Sequence, residues 1–437
     1  MAGRELGIAL VGVGTVGGGV ARLLEAERHR LATRAGRPLR LVRGVVRDLS
    51  RPRPGGLGCD RLTTNWRDAV HDPGVDVVVE LLGGVTPARE VVLESLAAGK
   101  DVVTANKALL ADHGTEIFAA ARRAGRVVAF EAAVAGGIPI IQALSCGLAA
   151  NQVQGLAAIV NGTCNFILSA MSGRELAYES ALRQAQELGY AEADPRLDVD
   201  GTDTAHKLAL LVQLAFGVNV TTVDVPRQGI DRLETLDLKF ASELGYAIKL
   251  LALARLADDD AVELDVAPRL VRLGTPLADV RGAYNAIRVV GDVVGDTLFY
   301  GLGAGAMPTA SAILGDLVDV ACGRAARSFA VQGLWSDAAE TRRTVRPGPA
   351  RCRHYLRFMI LDRPGALGQI AAVLGRHGIS IASVIQHDPG ENDGPDAPVP
   401  LILMTHVVDA KALRAAVEEA DRLEVVRPPS VSYGVED

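Results

Sequence analysis

Residues 6–17 read LGIALVGVGTVG, a nearly all-apolar run that passes straight into glycines at 12, 14 and 17. A continuous apolar run suits a strand covered on both faces, as in a parallel sheet. Behind it Val20, Leu23, Leu24 and Leu31 recur at helical spacing, which predicts a helix over about 16–34. Glycines between a strand and a helix let backbone N–H groups close on a pyrophosphate at the positive helix end. Gly12, Val13, Gly14, Thr15, Val16 and Gly17 therefore form a candidate dinucleotide loop. The same spacing also serves a tight turn that packs a helix on a sheet, so the motif takes its weight from the strand before it.

The pattern repeats downstream. Leu39–Asp48 reads as a strand, the Pro/Gly-rich 51–58 as a loop and Val75–Leu82 as a strand. Helix 87–99, strand Asp101–Thr104, helix 108–124 and strand Arg126–Glu131 follow. Alternating units of this length predict an α/β fold with a Rossmann-type doubly wound parallel sheet. The second strand ends in Val46-Arg47-Asp48, with Arg51 and Arg53 close behind. An acidic side chain there holds a ribose 2′-hydroxyl, whereas arginines accommodate a 2′-phosphate. Both kinds occur, so NADP is favoured, with Arg47 a candidate contact, and NAD stays open.

The chain has 437 residues, enough for two to four domains, and 49% of them are apolar. A net charge of -6 gives no basic stripe for nucleic acid. Five cysteines without a CxxC imply neither a disulfide framework nor a zinc site. No apolar stretch is long enough to span a membrane, and MAGREL carries no signal-peptide layout, so a soluble cytoplasmic protein is expected. Of the 46 basic residues only six are lysine (Lys100, Lys107, Lys207, Lys239, Lys249 and Lys411), which singles out each of them.

Three segments carry more than scaffold. They are Thr104-Ala-Asn-Lys107 after a strand, Glu131 to Ile140 with its interrupting glycines, and Asn161 to Phe166 leading to the charged block from Glu187 to Lys207. On a helix beginning near Gly201, Asp203 and Lys207 stand four apart and share a face. A surface ion pair of that kind stabilises little. Here Lys207 precedes the apolar run Leu208–Leu214, which draws the helix into a core where an unsolvated lysine is costly.

With these segments on view the chain resembles the homoserine dehydrogenases. The matching stretches are GVGTVGGGV (12–20), VVVELLGG (77–84), AGKDVVTANKALLA (98–111), EAAVAGGIPII (131–141), NGTCNFIL (161–168), ELGYAEADP (187–195), DVDGTDTAHKLALL (198–211) and GAGAMPTASA (303–312). The resemblance implies NAD(P)H-dependent interconversion of L-aspartate 4-semialdehyde and L-homoserine, in threonine, methionine and isoleucine biosynthesis. Hydride arriving at an aldehyde carbon builds negative charge on oxygen, so a cationic proton donor belongs beside it. The resemblance gives that role to Lys207, with Lys107 at the nicotinamide end and Asp203 orienting. It gives Glu192, Asp198 and Asp203, with Lys107, to the substrate, and Gly189 and Gly305 to the cofactor. Glu131, Val134, Gly136 and Ile138 match a loop for a monovalent cation, Na+ being the expected ion; a carboxylate and backbone carbonyls make a hard-oxygen cage. Two departures stand out: Cys164 where the family has Thr or Ser, and His206 where Arg is usual.

Implied domains are 1–135 with 305–333 for the cofactor, and 136–304, an α+β part for substrate and dimerisation. A linker, 334–352, and a module, 353–437, complete the chain. Ahead of that module, Phe240–Ala257 reads as a helix, 261–272 as a strand, 284–299 as paired strands and 309–326 as a helix. The module itself reads strand 354–361, helix 365–376, strand 379–386, acidic loop 388–398, strand 400–408, helix 410–422 and strand 424–433. That order is ferredoxin-like, and LRFMILDRPGALGQIAAVLGRHGISIASVIQ (356–386) resembles an ACT domain. The resemblance implies an amino-acid effector, L-threonine, on a loop from Asp362 to Leu367, in a monofunctional homodimer or homotetramer. Removal of 350–437 is then expected to leave turnover and abolish effector sensitivity. Two other readings compete. An aspartate-semialdehyde dehydrogenase needs a thiol nucleophile, for which only Cys146 and Cys164 are available. An amino-acid sensor would have lost the catalytic residues, yet Lys107, Glu192, Asp203 and Lys207 are all present.

Overall fold

The computed structural model describes residues 4–51, 58–174, 176–192, 194–335, 343–387 and 397–436. Arg53, most of the acidic loop 388–398 and residues 336–342 of the expected linker lie outside the described residues. Contacts divide the chain into two units. One is Met1–Gly162 with Thr202–Val225 and Ala283–Thr344; the other is Thr163–Gly201 with Pro226–Gly282 and Val345–Asp437. Both cut through the stretch 136–304, which the sequence reads as one domain.

The first unit is built on six parallel strands in the order Leu62–Thr63, Leu39–Val45, Leu6–Val11, Val77–Glu80, Asp101–Thr104 and Val128–Ala129. Strand order reverses between Leu6–Val11 and Val77–Glu80, and doubly wound sheets bind ligands beyond the carboxyl ends at such a point. The all-apolar first strand is explained by its two faces. Leu6, Ile8 and Leu10 pack into one core with Val20, Leu24, Ile313 and Leu317. Ala9 and Val11 pack into another with Val45, Val78 and Val91. The predicted helix over 16–34 is two helices, Thr15–Ala26 and Arg28–Ala35, meeting at Glu27. This unit also holds three antiparallel strands, Val153–Ile159, Tyr284–Gly291 and Gly295–Leu302. Helices Lys107–Ala124 and Thr202–Phe216 pack together in it.

In the second unit the expected helix over 240–257 is wrong. The helix is Thr235–Glu243, and Tyr246–Leu256 is a strand paired residue for residue with Val262–Arg272. Gly245, at φ +85°, turns the chain between them. The run YAIKLLALARL is rich in good helix formers, but it is buried on both sides for most of its length. A run without periodicity leaves the choice to tertiary pairing, which overrides propensity.

Residues 354–436 form the ferredoxin-like module. Strands Val426–Glu436, His354–Leu361, Pro398–Thr405 and Ile381–Gln386 lie antiparallel in that order, the fourth, first, third and second along the chain. Helices Ala366–Arg376 and Ala410–Ala420 cover them over a core of Phe358, Ile370, Leu374, Leu403 and Leu413. The module is not a detachable appendage. Its last strand pairs in parallel with Val262–Arg272, Gly434 opposite Arg269 and Glu436 opposite Val271. Arg357, itself buried, holds the fully buried Asp237 at 2.7 Å, and Arg255 pairs with Glu436. Removing 350–437 would strip that strand edge and take Arg357 and Tyr355 from Asp237, a cost that the expected truncated enzyme has to bear. Among the described residues no helix is long and apolar enough to cross a membrane.

Candidate active site

The glycine loop opens the first unit's crevice. A Cβ at Gly12 would collide with the Leu81 carbonyl, and one at Gly17 with the Gly12 carbonyl, so both are glycine for packing. At Gly14 a Cβ would meet nothing within 4 Å, so backbone there faces open space. Helix Thr15–Ala26 begins with Thr15 and Val16 and has no side-chain cap, leaving its positive end to a ligand. A cleft of about 620 Å³ beside it is lined by Gly12, Val13, Gly14, Arg47, Asp48 and Arg51. Arg47 is exposed there, while Arg51 leans on Asp48 at 3.3 Å. These residues fit a dinucleotide: a bare loop for phosphates and, at the end of the second strand, an exposed guanidinium with no ion pair among the described residues. Gly305, at φ 113°, caps helix Ala306–Ala321, which packs closely on Gly19 of the first helix.

A buried chain of hydrogen bonds explains the TANK segment. Glu80, fully buried at the end of its strand, accepts from the Leu82 amide and the Thr104 hydroxyl, both at 2.7 Å. Thr104 in turn accepts from the Asn106 amide at 3.0 Å. The Asn106 side chain donates to the Gly84 carbonyl at 2.6 Å and caps the next helix by accepting from Leu109 at 3.1 Å. Lys107 is the first residue of that helix. Burial pushes the Glu80 carboxyl up, against these donors. Sequence reading passed over Glu80, although a lone acid ending the run VVVE was a usable signal.

Lys107 reaches Asp203 on the facing helix. Its Nζ lies 3.1 Å from Oδ1, while Lys207 Nζ lies 2.6 Å from Oδ2. Lys207 also donates to the Val160 carbonyl at 2.6 Å, and Asn161 donates its side-chain amide to Asp203 Oδ2 at 3.0 Å. Lys207 is 12% exposed and Lys107 36%, so one ammonium is sheltered and the other open. Burial pushes the Asp203 carboxyl up, but Lys207 and Lys107 together outweigh it and hold the group far below the usual carboxylate range. His206 lies half-buried beside them; burial pushes its imidazole down, Asp112 and Asp203 oppose this, and Lys107 and Lys207 add to it.

Gly189, Glu192 and Asp198 belong to the second unit. There Gly189 (φ 75°) ends the turn after helix Tyr178–Glu187, and Glu192 is exposed. Thr163 donates to the Tyr190 carbonyl at 2.7 Å, and the buried Cys164 thiol to the Asp198 carbonyl at 3.3 Å. Cys164 thus makes the bond a Thr or Ser hydroxyl would make, and is sealed from nucleophilic use.

Glu131 is buried, its two oxygens accepting the Ile141 and Gln142 amides at 2.8 and 2.9 Å. Its own amide donates to Asp316 at 3.0 Å. Burial pushes Glu131 up to about 7 against those amides, and burial with the Glu131 charge raises Asp316 strongly. Among the described residues neither has a basic partner, so the pair suits a positive ion. Between Val134 and Ile138 the loop turns through Ala135 and Gly136, at φ 50° and 28°. No three His, Cys, Asp or Glu side chains converge among the described residues, so an ion here needs backbone oxygens with Glu131.

Known proteins resemble this chain over its whole length. The family model described as homoserine dehydrogenase matches residues 139–318, its NAD binding domain 12–131, and the ACT domain model 354–425. Homoserine dehydrogenase of Pseudomonas aeruginosa is 44% identical over 99% of both chains, and that of Neisseria gonorrhoeae 42% identical over 98% of this chain and 97% of its own. The crystal structure of a homoserine dehydrogenase from Thiobacillus denitrificans superposes with a TM-score of 0.91 at 44% identity, covering 99% of each chain.

Proposed function

The chain belongs to the homoserine dehydrogenase family, and on that premise we propose that it interconverts L-homoserine and L-aspartate 4-semialdehyde as an NAD(P)-dependent oxidoreductase. The observation that carries the proposal is the pairing of Lys107 and Lys207 on the single carboxylate of Asp203.

A nicotinamide held by the glycine loop would supply the hydride acceptor for the carbinol carbon of homoserine, or the hydride donor for the aldehyde. In reduction, the Lys207 ammonium gives a proton to the oxygen as negative charge grows there; in oxidation, its neutral amine takes the hydroxyl proton. Arginine could not serve, because it keeps its proton at working pH. Asp203 and the Val160 carbonyl fix where that amine points. Lys107, launched by the Glu80–Thr104–Asn106 chain, is placed for the substrate and the nicotinamide end. Glu192 and Asp203, with Asp198 close by, are assigned to the amino-acid part of the substrate, whose ammonium calls for opposite charge.

The cofactor is assigned to Gly12, Val13, Gly14, Thr15, Val16, Gly17, Arg47, Lys107, Gly189 and Gly305, with NADP preferred through Arg47. A monovalent cation, Na+, is assigned to Glu131, Val134, Gly136 and Ile138, supported by the unpaired acids there. The functional parts are assigned as 1–135 with 305–333 for nucleotide, 136–304 for substrate, and 353–437 for regulation by an amino acid, L-threonine, at Asp362 to Leu367. A homodimer or homotetramer in the cytoplasm completes the reading. Strand Gly295–Leu302 supports the assembly, because Leu298, Tyr300 and Leu302 leave an apolar face exposed.

Reduction of NADP+ and NAD+ by the purified full chain, with and without L-homoserine, tests the activity. Homoserine-dependent reduction is expected, faster with NADP+; its absence with both cofactors would refute the reading.

A further inference from the structure

Glu80 ends strand Val77–Glu80 and is fully buried, yet among the described residues no basic side chain pairs with it. A buried carboxylate without a counter-ion is costly, and an apolar side chain would fill the same space without that cost. Burial raises its pKa, while the Thr104 hydroxyl, the Leu82 amide, the Asn106 side chain and the Gly83 amide draw it down.

Strand register explains what this carboxylate holds. Glu80 lies between Val11, the last residue before the glycine loop, and Thr104. It therefore stands at the carboxyl ends of three neighbouring parallel strands, all within the first unit. Oε1 accepts the Leu82 amide of the loop that follows its own strand, and Oε2 accepts the Thr104 hydroxyl across the sheet, both at 2.7 Å. Asn106 closes the circuit. Its backbone amide donates to the Thr104 oxygen at 3.0 Å, and its side chain reaches back to the Gly84 carbonyl at 2.6 Å. Glu80, the segment Leu82–Gly84, Asn106 and Thr104 thus form a closed ring. Gly83 and Gly84, at φ 72° and 67°, supply its left-handed bend; a Cβ at either would meet nothing within 4 Å, so conformation and not crowding calls for glycine.

Two walls of the site meet in this ring. Leu81, Leu82 and Gly83 line the cofactor cleft. Lys107 follows Asn106 directly, opens its helix and reaches Asp203 at 3.1 Å. From this arrangement we propose that Glu80 is a positioning residue for the reaction, fixing the start of helix Lys107–Ala124 against the cleft wall so that Lys107 and the nicotinamide end share one frame. Glutamate serves where glutamine does not, because both groups facing it are donors and only a carboxylate offers two acceptors. Buried as it is, Glu80 acts through Lys107. A misplacement of about 1 Å at a reacting centre can cost about 100-fold in rate.

The proposal rests on the reading of Lys107 as a substrate-side residue, and a double-mutant cycle separates the two. Homoserine-dependent kcat/KM with NADP+ is measured for wild type, Glu80→Gln, Lys107→Met and the double variant, beside NADPH affinity by fluorescence titration. Glu80→Gln is expected to lower kcat/KM roughly 10- to 100-fold. NADPH affinity should stay within about threefold, since the phosphate loop is untouched. On the Lys107→Met background the same change is expected to cost less than about twofold, because nothing is left to position. Thr104→Val breaks the ring at another bond and should match Glu80→Gln, while Thr104→Ser, which keeps the hydroxyl, should recover most of that loss. This pair carries the test if Glu80→Gln fails to fold. Losses that multiply in the double variant would overturn the proposal and leave the role of Lys107 intact. A fall in NADPH affinity as large as that in kcat/KM would do the same, as would wild-type kinetics in Glu80→Gln or Thr104→Val. Wild-type kcat/KM in Lys107→Met would overturn the role of Lys107 and this proposal with it.

Discussion

Lys107 and Lys207 grip opposite oxygens of one carboxylate, at 3.1 Å from Asp203 Oδ1 and 2.6 Å from Oδ2. One anion therefore holds two cations that would otherwise repel. Replacing it by Asp203→Asn keeps the shape and removes the charge. The turnover number is expected to fall roughly 100-fold or more, in the range of acid–base and positioning losses, with a much smaller change in NADP+ affinity. Steady-state kinetics and fluorescence titration of NADPH check both.

Cofactor choice is assigned to a single exposed arginine. Arg47 lines the cleft beside Gly12–Gly14 with no side-chain bond to Asp48, which instead holds Ser50 at 2.6 Å. Arg47→Ala is expected to lower kcat/KM for NADP+ about tenfold or more, the value of one charge-assisted phosphate contact, and to leave that for NAD+ within about twofold. Equal losses with both cofactors would place the 2′-phosphate elsewhere.

Arg357→Met tests whether the regulatory module is structural. Among the described residues it leaves Asp237 buried with only the Tyr355 hydroxyl, at 2.9 Å. Breaking a buried pair from one side costs about 3–5 kcal/mol, so the denaturation midpoint should drop clearly. A chain ending before residue 350 should aggregate, because strand Val262–Arg272 loses its partner Val426–Glu436. A soluble truncated enzyme with full turnover would contradict the continuous sheet.

Lys249, buried in strand Tyr246–Leu256, gives a pH dependence of defined sign. Its folded pKa is about 8 against an ordinary 10.5, so between these values the unfolded chain binds more protons than the folded one. Wild-type stability relative to Lys249→Met should thus rise with pH across that window, by about 3 kcal/mol at most. Denaturant unfolding of both proteins at several pH values from 7.5 to about 10.5 measures it. A difference that stays flat would mean that the ammonium is solvated or paired.

Much of this architecture could be read from residues alone, and the failures have physical causes. The strand LGIALV and the loop after it were legible because a strand buried on two faces and a bare phosphate loop each leave a distinctive pattern. Asp203 and Lys207 were legible because four-residue spacing on a helix is local. Tyr246–Leu256 was misread because its burial on both sides erased the alternation that marks a strand. The bond from Thr104 to Glu80 was not legible, since the two meet only when two parallel strands pair, although the lone acid in VVVE and the TANK segment each left a mark. Neither was the isolation of Lys249, which depends on Asn165 and Val280 from distant segments. Position in the sequence marked it only as a lysine that an arginine-rich chain had kept.

In the proposed reaction Lys207 moves the proton while hydride passes to or from the cofactor. Lys207→Met removes the ammonium and keeps much of the buried stem, so the most direct measurement is homoserine-dependent NADP+ reduction by this variant beside its NADPH affinity. Turnover is expected to fall roughly 100-fold or more, with nucleotide affinity within about twofold of wild type. Oxidation of homoserine at the wild-type rate would contradict it.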